Sequence, residues 1–158
     1  MILPIITLPN PILRQRAREL NPDEIKTSAI QKLIFDMKET VGPAGGIGLA
    51  APQVGLSVRL IVIALENKLI ALINPEITNF SWRKETAEEG CLSVPQKFGS
   101  VKRAKSIKIR ALNENGEIIK FKAKDLFARV IQHEIDHLNG ILFIDRAKKV
   151  SEEGASKI

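Results

Sequence analysis

The chain holds two histidines, and they stand four residues apart in Gln132-His-Glu-Ile-Asp-His-Leu-Asn-Gly140. On an α-helix that spacing sends both imidazoles from one face, which is how a helix offers two ligands to a single metal ion. Two histidines placed at random would fall four apart in about one chain in eighty, and a glutamate directly after the first makes coincidence rarer still. Glu134 is placed as the carboxylate that moves protons beside the metal. A catalytic zinc-type site takes three protein ligands and keeps a fourth position open. With no further histidine available, the single cysteine, Cys91 in Glu88-Glu-Gly-Cys-Leu-Ser-Val-Pro95, is the candidate that completes a Cys91, His133 and His137 set. A lone cysteine is more often a small buried hydrophobe; the incomplete metal site reverses that reading here. Two solvent-facing histidines are the alternative, but the residues around them are apolar, and buried imidazoles without partners are unfavourable.

The elements that must hold these residues follow from periodicity. Leu126, Val130, Glu134 and His137 recur at helical spacing after Asp125, read as an N-cap, and Gly140 stands where a helix stops. Asn21-Pro22-Asp23-Glu24 reads as another helix start, continued by Ile25, Ala29, Leu33, Met37 and Val41 to Gly42-Pro43. Residues 58–65 and 69–73 read as strands joined by a turn at Glu66-Asn67-Lys68, with a third strand region over 77–86. Ser106 to Leu112 alternates, turns at Asn115-Gly116, and returns through Ile119, Phe121 and Ala123. This hairpin carries Lys108, Arg110, Lys120, Lys122 and Lys124 on its outer face. The stretch from Pro43 to Gly55 is too rich in glycine for a packed helix and too apolar for a solvent loop, which marks it as a site loop. Strands in the middle with a helix before and a helix after predict an α+β fold, antiparallel β-sheets packed around a central helix that carries the metal motif.

At 158 residues and 44% hydrophobic content the chain suits one domain with its own core. One cysteine excludes an intramolecular disulfide and favours a reducing, cytoplasmic setting. The apolar N-terminus lacks a basic region and carries two prolines, unlike a signal peptide. No apolar run approaches the roughly 20 residues that a bilayer needs. The net charge of +6 suits anionic partners such as RNA, or a solvated basic face; nothing points to specific DNA binding. After Arg146 the polar tail is expected to fray at its end.

A zinc peptidase of the metzincin type continues the helix motif to a third histidine, where this chain has Phe143. Instead the sequence resembles the bacterial peptide deformylases, through Gly46-Ile-Gly-Leu-Ala-Ala-Pro-Gln53, Glu89-Gly-Cys-Leu-Ser93 and Gln132-His-Glu-Ile-Asp-His137 in that order. Weaker similarity runs from Asn10-Pro-Ile-Leu-Arg14 to Leu142-Phe-Ile-Asp145. The resemblance implies one catalytic domain over 1–147, a short polar tail over 148–158, and removal of the formyl group from the N-terminal methionine of new proteins with release of formate. It implies a divalent metal on Cys91, His133 and His137, ferrous iron natively, with zinc, nickel or cobalt as substitutes that this mixed ligand set also suits. A metal lowers the pKa of its water so that hydroxide attacks the formyl carbon. Glu134 then serves as general base and acid, and Gln53 with the Leu92 backbone N–H stabilises the oxyanion.

By the same resemblance Ile47, Gly48, Val130 and His133 bind the substrate, Gly48 letting the loop backbone come close to an extended peptide and the others walling a methionine pocket. The partners expected are formyl-methionyl nascent peptides and a transient ribosome contact, with no membrane and a monomeric protein. Two departures stand out. Phe98 occupies a position where the family often has an arginine near the substrate backbone, and the tail is shorter than the helix that many bacterial members use for ribosome docking. A structural metal in a binding module would want a fourth protein ligand, and none is apparent.

Overall fold

A computed structural model describes residues 1–152 and 158 of the chain. The helix expected from Asn21 onward is two helices, α1 (Pro22–Ile25) and α2 (Ser28–Val41). Glu24 closes the first by accepting from the Asn21 N–H at 2.7 Å, as its sequence position suggests. Thr27 then leaves helical geometry, with ψ at 150°, and its Oγ1 accepts from the Ile30 N–H to start the second. Apolar periodicity passes over such a break because Ile25, Leu33, Met37 and Val41 still reach one core.

The glycine-rich stretch contributes a short strand, β1 (Gly48–Ala50), followed by a 3-10 turn over Ala51–Val54. Next come β2 (Leu60–Leu65) and β3 (Lys68–Phe80), joined by a turn of Glu66 and Asn67 alone, whose positive φ values of 52° and 61° match the twist of a two-residue hairpin. Lys68, read as a turn residue, already pairs with Leu65. The strand expected over 77–86 is the end of β3 and the start of β4 (Lys84–Cys91), separated where the Ser81 hydroxyl donates to Arg83 O. β4 pairs along its length with β5 (Val94–Ala104). β6 (Ser106–Leu112) and β7 (Ile118–Lys124) form the expected basic hairpin, with Lys108 opposite Lys122 and Arg110 opposite Lys120.

These strands make two antiparallel sheets, one in the order β1-β2-β3-β6-β7 and one in which β4 and β5 are extended by the short β8 (Val150–Ser151). Between them runs α3 (Asp125–Leu138); Asp125 is its first residue rather than its cap. The period-2 alternation of β2 divides the core. Ile61 and Ile63 join Val130, Ile131, Ile135 and Leu138 of α3, whereas Leu60 and Val62 face Leu33, Ile34 and Met37 of α2. Every residue of α3 over 128–138 is buried. Its C-terminal end is received by Arg59, whose Nη1 donates to Leu138 O at 3.0 Å, the sign that a helix C-terminus favours. Gly140 follows with φ +74°, and a Cβ there would stand 2.5 Å from Arg14 O.

A third apolar cluster of Cys91, Val94, Val101, Leu142 and Phe143 links the β4–β5 hairpin to α4 (Phe143–Arg146). The tail beyond it holds more than its composition suggests. Val150 and Ser151 pair with Gly99 and Phe98 of β5, and Ile158 is buried; residues 153–157, where fraying was expected, lie outside the described residues.

Candidate metal centre

One helical turn separates His133 from His137 on α3, and their rings meet edge to face with centroids 5.2 Å apart. Cys91, delivered by the end of β4, brings its Sγ to 3.2 Å from His137 Nε2. One ligand atom from each of the three residues falls within 4.8 Å of the other two. Glu89 Oε1 lies 2.8 Å from His133 Nδ1, which turns His133 Nε2 inward. His133 Nε2, His137 Nδ1 and both carboxylate oxygens of Glu134 are buried with no protein partner among the described residues. Buried polar atoms in that condition are unfavourable unless something binds them. A soft thiolate with two imidazoles, beside a carboxylate, fits a divalent transition metal with a reactive open position.

Burial dominates the electrostatics of the metal-free site. It pushes the Cys91 thiol up to about 12, helped by the charge of Glu134 and opposed by the Ser93 and Val94 backbone bonds. It holds His137 well below the ordinary histidine value, with His133 and Arg103 acting in the same direction. It raises Glu134 well above the usual carboxylate range, and Glu89 adds to the effect. Glu89 itself goes the other way: burial would raise it, but the bonds from Arg103 and His133 outweigh that and leave it ionised.

That ionised Glu89 anchors a buried network that the sequence motifs do not reveal. Its carboxylate accepts from Arg103 Nε and Nη2 at 2.9 Å each and from Arg129 Nη1 at 2.6 Å. Arg103 also reaches Asp136 on α3 at 2.6 Å, and Arg146 grips the same carboxylate at 2.6 Å. Glu89 and Asp136 lie inside the motifs, so their positions were visible but their task was not. Arg103 and Arg129 carry no local signal; only the fold brings them to Glu89.

The remaining residues singled out from the sequence gather around the centre. Gln53, in the 3-10 turn after β1, accepts from the Ala50 N–H at 2.9 Å and aims Nε2 at Ser93 Oγ (3.1 Å) and Cys91 Sγ (3.6 Å). Leu92 sits in the tight turn between β4 and β5, its side chain against Gly46. Gly48 also meets a packing need: a Cβ there would lie 2.5 Å from Glu134 Oε1 and 2.8 Å from Val130 Cγ1. Val130 is buried, and the half-buried Ile47 packs against the same cluster. Phe143, at the position of the missing third histidine, stacks on the His133 ring at 6.3 Å. Phe98 is buried on β5 opposite Ser151.

Two strand edges flank this centre. β1 ends the five-stranded sheet beside Glu134, and β4 ends the smaller sheet beside Cys91. Edges of this kind accept an extended peptide as an added strand.

The family model described as polypeptide deformylase matches residues 2–153. The chain belongs to the polypeptide deformylase family. A peptide deformylase of Desulforudis audaxviator is 45% identical over 150 residues, which cover 94% of this chain and 96% of the relative. One from Syntrophobacter fumaroxidans is 48% identical over 158 residues, covering 96% and 90%. The crystal structure of the Thermotoga maritima peptide deformylase superposes with a TM-score of 0.90 at 42% identity, covering 94% of this chain and 99% of that one. The class I type b peptide deformylase of Acinetobacter baumannii, solved with Met-Ala-Ser bound, has a TM-score of 0.89 at 36% identity, covering 92% and 98%. Deformylases are metallohydrolases, and the antiparallel α+β fold expected from the sequence is the fold of the family's solved members. Among the described residues no helix is long and apolar enough to cross a membrane.

Proposed function

We propose that the chain removes the formyl group from the N-terminal formyl-methionine of newly made proteins, releasing formate, as one catalytic domain over 1–147 followed by the tail over 148–158. The observation that carries this reading is the buried carboxylate of Glu134, unpartnered among the described residues, beside the Cys91, His133 and His137 donor set, with the edge strands β1 and β4 on either side. Cys91 Sγ, His133 Nε2 and the His137 imidazole would hold the ion, ferrous iron natively, with zinc, nickel or cobalt able to replace it. When bound, such an ion supplies a Lewis acid and lowers the pKa of water.

The chain's own groups do the rest. Glu134, with an affinity for protons raised by burial, takes the proton of the attacking water and returns it to the nitrogen of the leaving amine. The Gln53 amide and the Leu92 backbone N–H donate to the oxygen on which negative charge develops. Gln53 is held for this by Ala50 and Ser93 on either side. Ile47, Val130 and the His133 ring wall the methionine side chain, and the Gly48 region pairs with the peptide backbone. The Met-Ala-Ser bound to the Acinetobacter baumannii deformylase is a peptide of the kind this cleft suits. The protein acts in the cytoplasm as a monomer, and the basic β6–β7 face meets ribosomal RNA near the emerging chain.

Formate release from formyl-Met-Ala-Ser by anaerobically prepared, iron-loaded protein tests the reading. Activity that Glu134→Ala loses while keeping its metal supports both the reaction and the proton shuttle. A folded, metal-loaded wild type that releases no formate rejects them.

A further inference from the structure

Ile158 is only 4% exposed, and its backbone N–H donates to Gly90 O at 3.2 Å. Gly90 directly precedes Cys91 on β4, the edge strand of its sheet. The Ile158 side chain belongs to the apolar cluster of α3 and the five-stranded sheet, not to the one that contains Cys91. Within that cluster the residues bordering this corner are Val130, close against Gly48 and on the helical turn before Glu134, and Ile47, which precedes Gly48. An aliphatic side chain in the cluster that also holds Ile47 and Val130, with its amide paired to an edge strand, is the kind of group a bound peptide substrate would present.

We infer that Ile158 occupies the apolar pocket beside the metal ligands and competes with the substrate's N-terminal side chain for it. This rests on the deformylase reading above. The nitrogen of Ile158 is acylated by the chain itself and not by a formyl group, so it fills the pocket without offering a formyl carbon. Attachment makes such an occupant effective even when its contacts are few, because a tethered group acts at a local concentration on the order of millimolar. β8 ties the preceding chain to β5 and keeps Ile158 within reach of the pocket. Substrate must then displace it, which raises KM and leaves the chemical step alone.

Two measurements on the full, metal-loaded chain test this. Steady-state kinetics with formyl-Met-Ala-Ser compare wild type with Ile158→Asp and Ile158→Ala; KM is expected to fall severalfold in the aspartate variant with kcat unchanged. Methyl resonances of Ile158 and Val130 are followed in wild type as Met-Ala-Ser is added; both are expected to move together, Ile158 toward the position of a solvent-exposed isoleucine. Val130 signals that titrate while Ile158 stays fixed, or an unchanged KM in both variants, would overturn the competition and leave the deformylase reading intact. Absence of formate release from wild type and variants, with Val130 silent to the peptide, overturns the deformylase reading and the competition with it. Should the aspartate variant be unstable, the alanine variant and the wild-type titration still decide.

Discussion

Glu89 Oε1 stands 2.8 Å from His133 Nδ1, and this contact joins a buried ion network to the face of α3 that carries both histidines. It sets which nitrogen of His133 faces Cys91 and His137. A carboxylate behind a ligating histidine fixes its tautomer and makes it a better donor.

Glu89→Gln should therefore do two things at once. Removing the charge takes the carboxylate partner from buried Arg129 and leaves Arg103 with Asp136 alone, which for a broken buried pair costs about 3–5 kcal/mol. It should also weaken metal binding by about 10–100-fold, the usual effect of losing such a partner. Urea denaturation of the metal-free protein and a competitive chelator titration read the two effects. A variant as stable as wild type would show that the network is dispensable.

Gly48→Ala places a methyl where Glu134 Oε1 and Val130 Cγ1 already stand. Displacing the carboxylate by about 1 Å should lower kcat on the order of a hundredfold. Because no ligand residue is touched, metal stoichiometry is expected to stay at the wild-type value. Loss of metal together with activity would place the damage in the fold instead.

Metal binding should depend on pH through Cys91. Its thiol, at about 12 in the metal-free protein, is protonated throughout the neutral range, and it binds as thiolate. His137 is already neutral, since burial holds it well below its ordinary value, and contributes no proton. Cys91 thus gives up a proton as the ion binds, and Kd should fall as pH rises. Calorimetry in buffers of different ionisation enthalpy counts the proton directly. A Kd flat between pH 6 and 8 would exclude Cys91 as a ligand.

Glu134 predicts a stability trend of definite sign. Its pKa in the folded, metal-free protein is raised above the ordinary 4.5, so the folded state holds a proton that the unfolded state releases. The stabilisation is complete below 4.5 and is lost as pH rises from there toward the folded value. Wild type should accordingly lose stability relative to Glu134→Gln over that window, in chelator, by urea denaturation. The same variant should lose about 10²–10⁴-fold in kcat. Parallel stability curves for the two proteins would contradict the burial effect.

Charge reversal at Lys108 and Lys122, paired neighbours on the exposed β6–β7 face, should weaken co-sedimentation with ribosomes at low salt. Binding unchanged by the reversal would remove this face from the ribosome contact.

The candidate metal donors were legible because their chemistry is local: His133 and His137 share one helical face, and Cys91 is the sole thiol in the chain. The β6–β7 hairpin was legible for the same reason, its alternation being strict and its turn marked by Asn115-Gly116. The β4–β5 hairpin was not, since Glu85, Glu88, Lys97 and Lys102 spread charge through both strands and hide the alternation. The break at Thr27 was hidden too, because one capping hydroxyl leaves the apolar spacing undisturbed. Arg103 and Arg129 are legible only in three dimensions, as their value lies in meeting Glu89, and no spacing along the chain encodes a partner on another sheet.

The burial of α3 on all sides also orders events in time. Gln53 and Cys91 are made early, but the two histidines leave the ribosome only after every strand of the five-stranded sheet and the whole β4–β5 hairpin. No fragment ending before His137 contains the donor set, and the helix has no stable place until both sheets exist to cover it. A metal held by this donor set would therefore be a late checkpoint in the protein's own biogenesis, one that an incomplete copy could not pass.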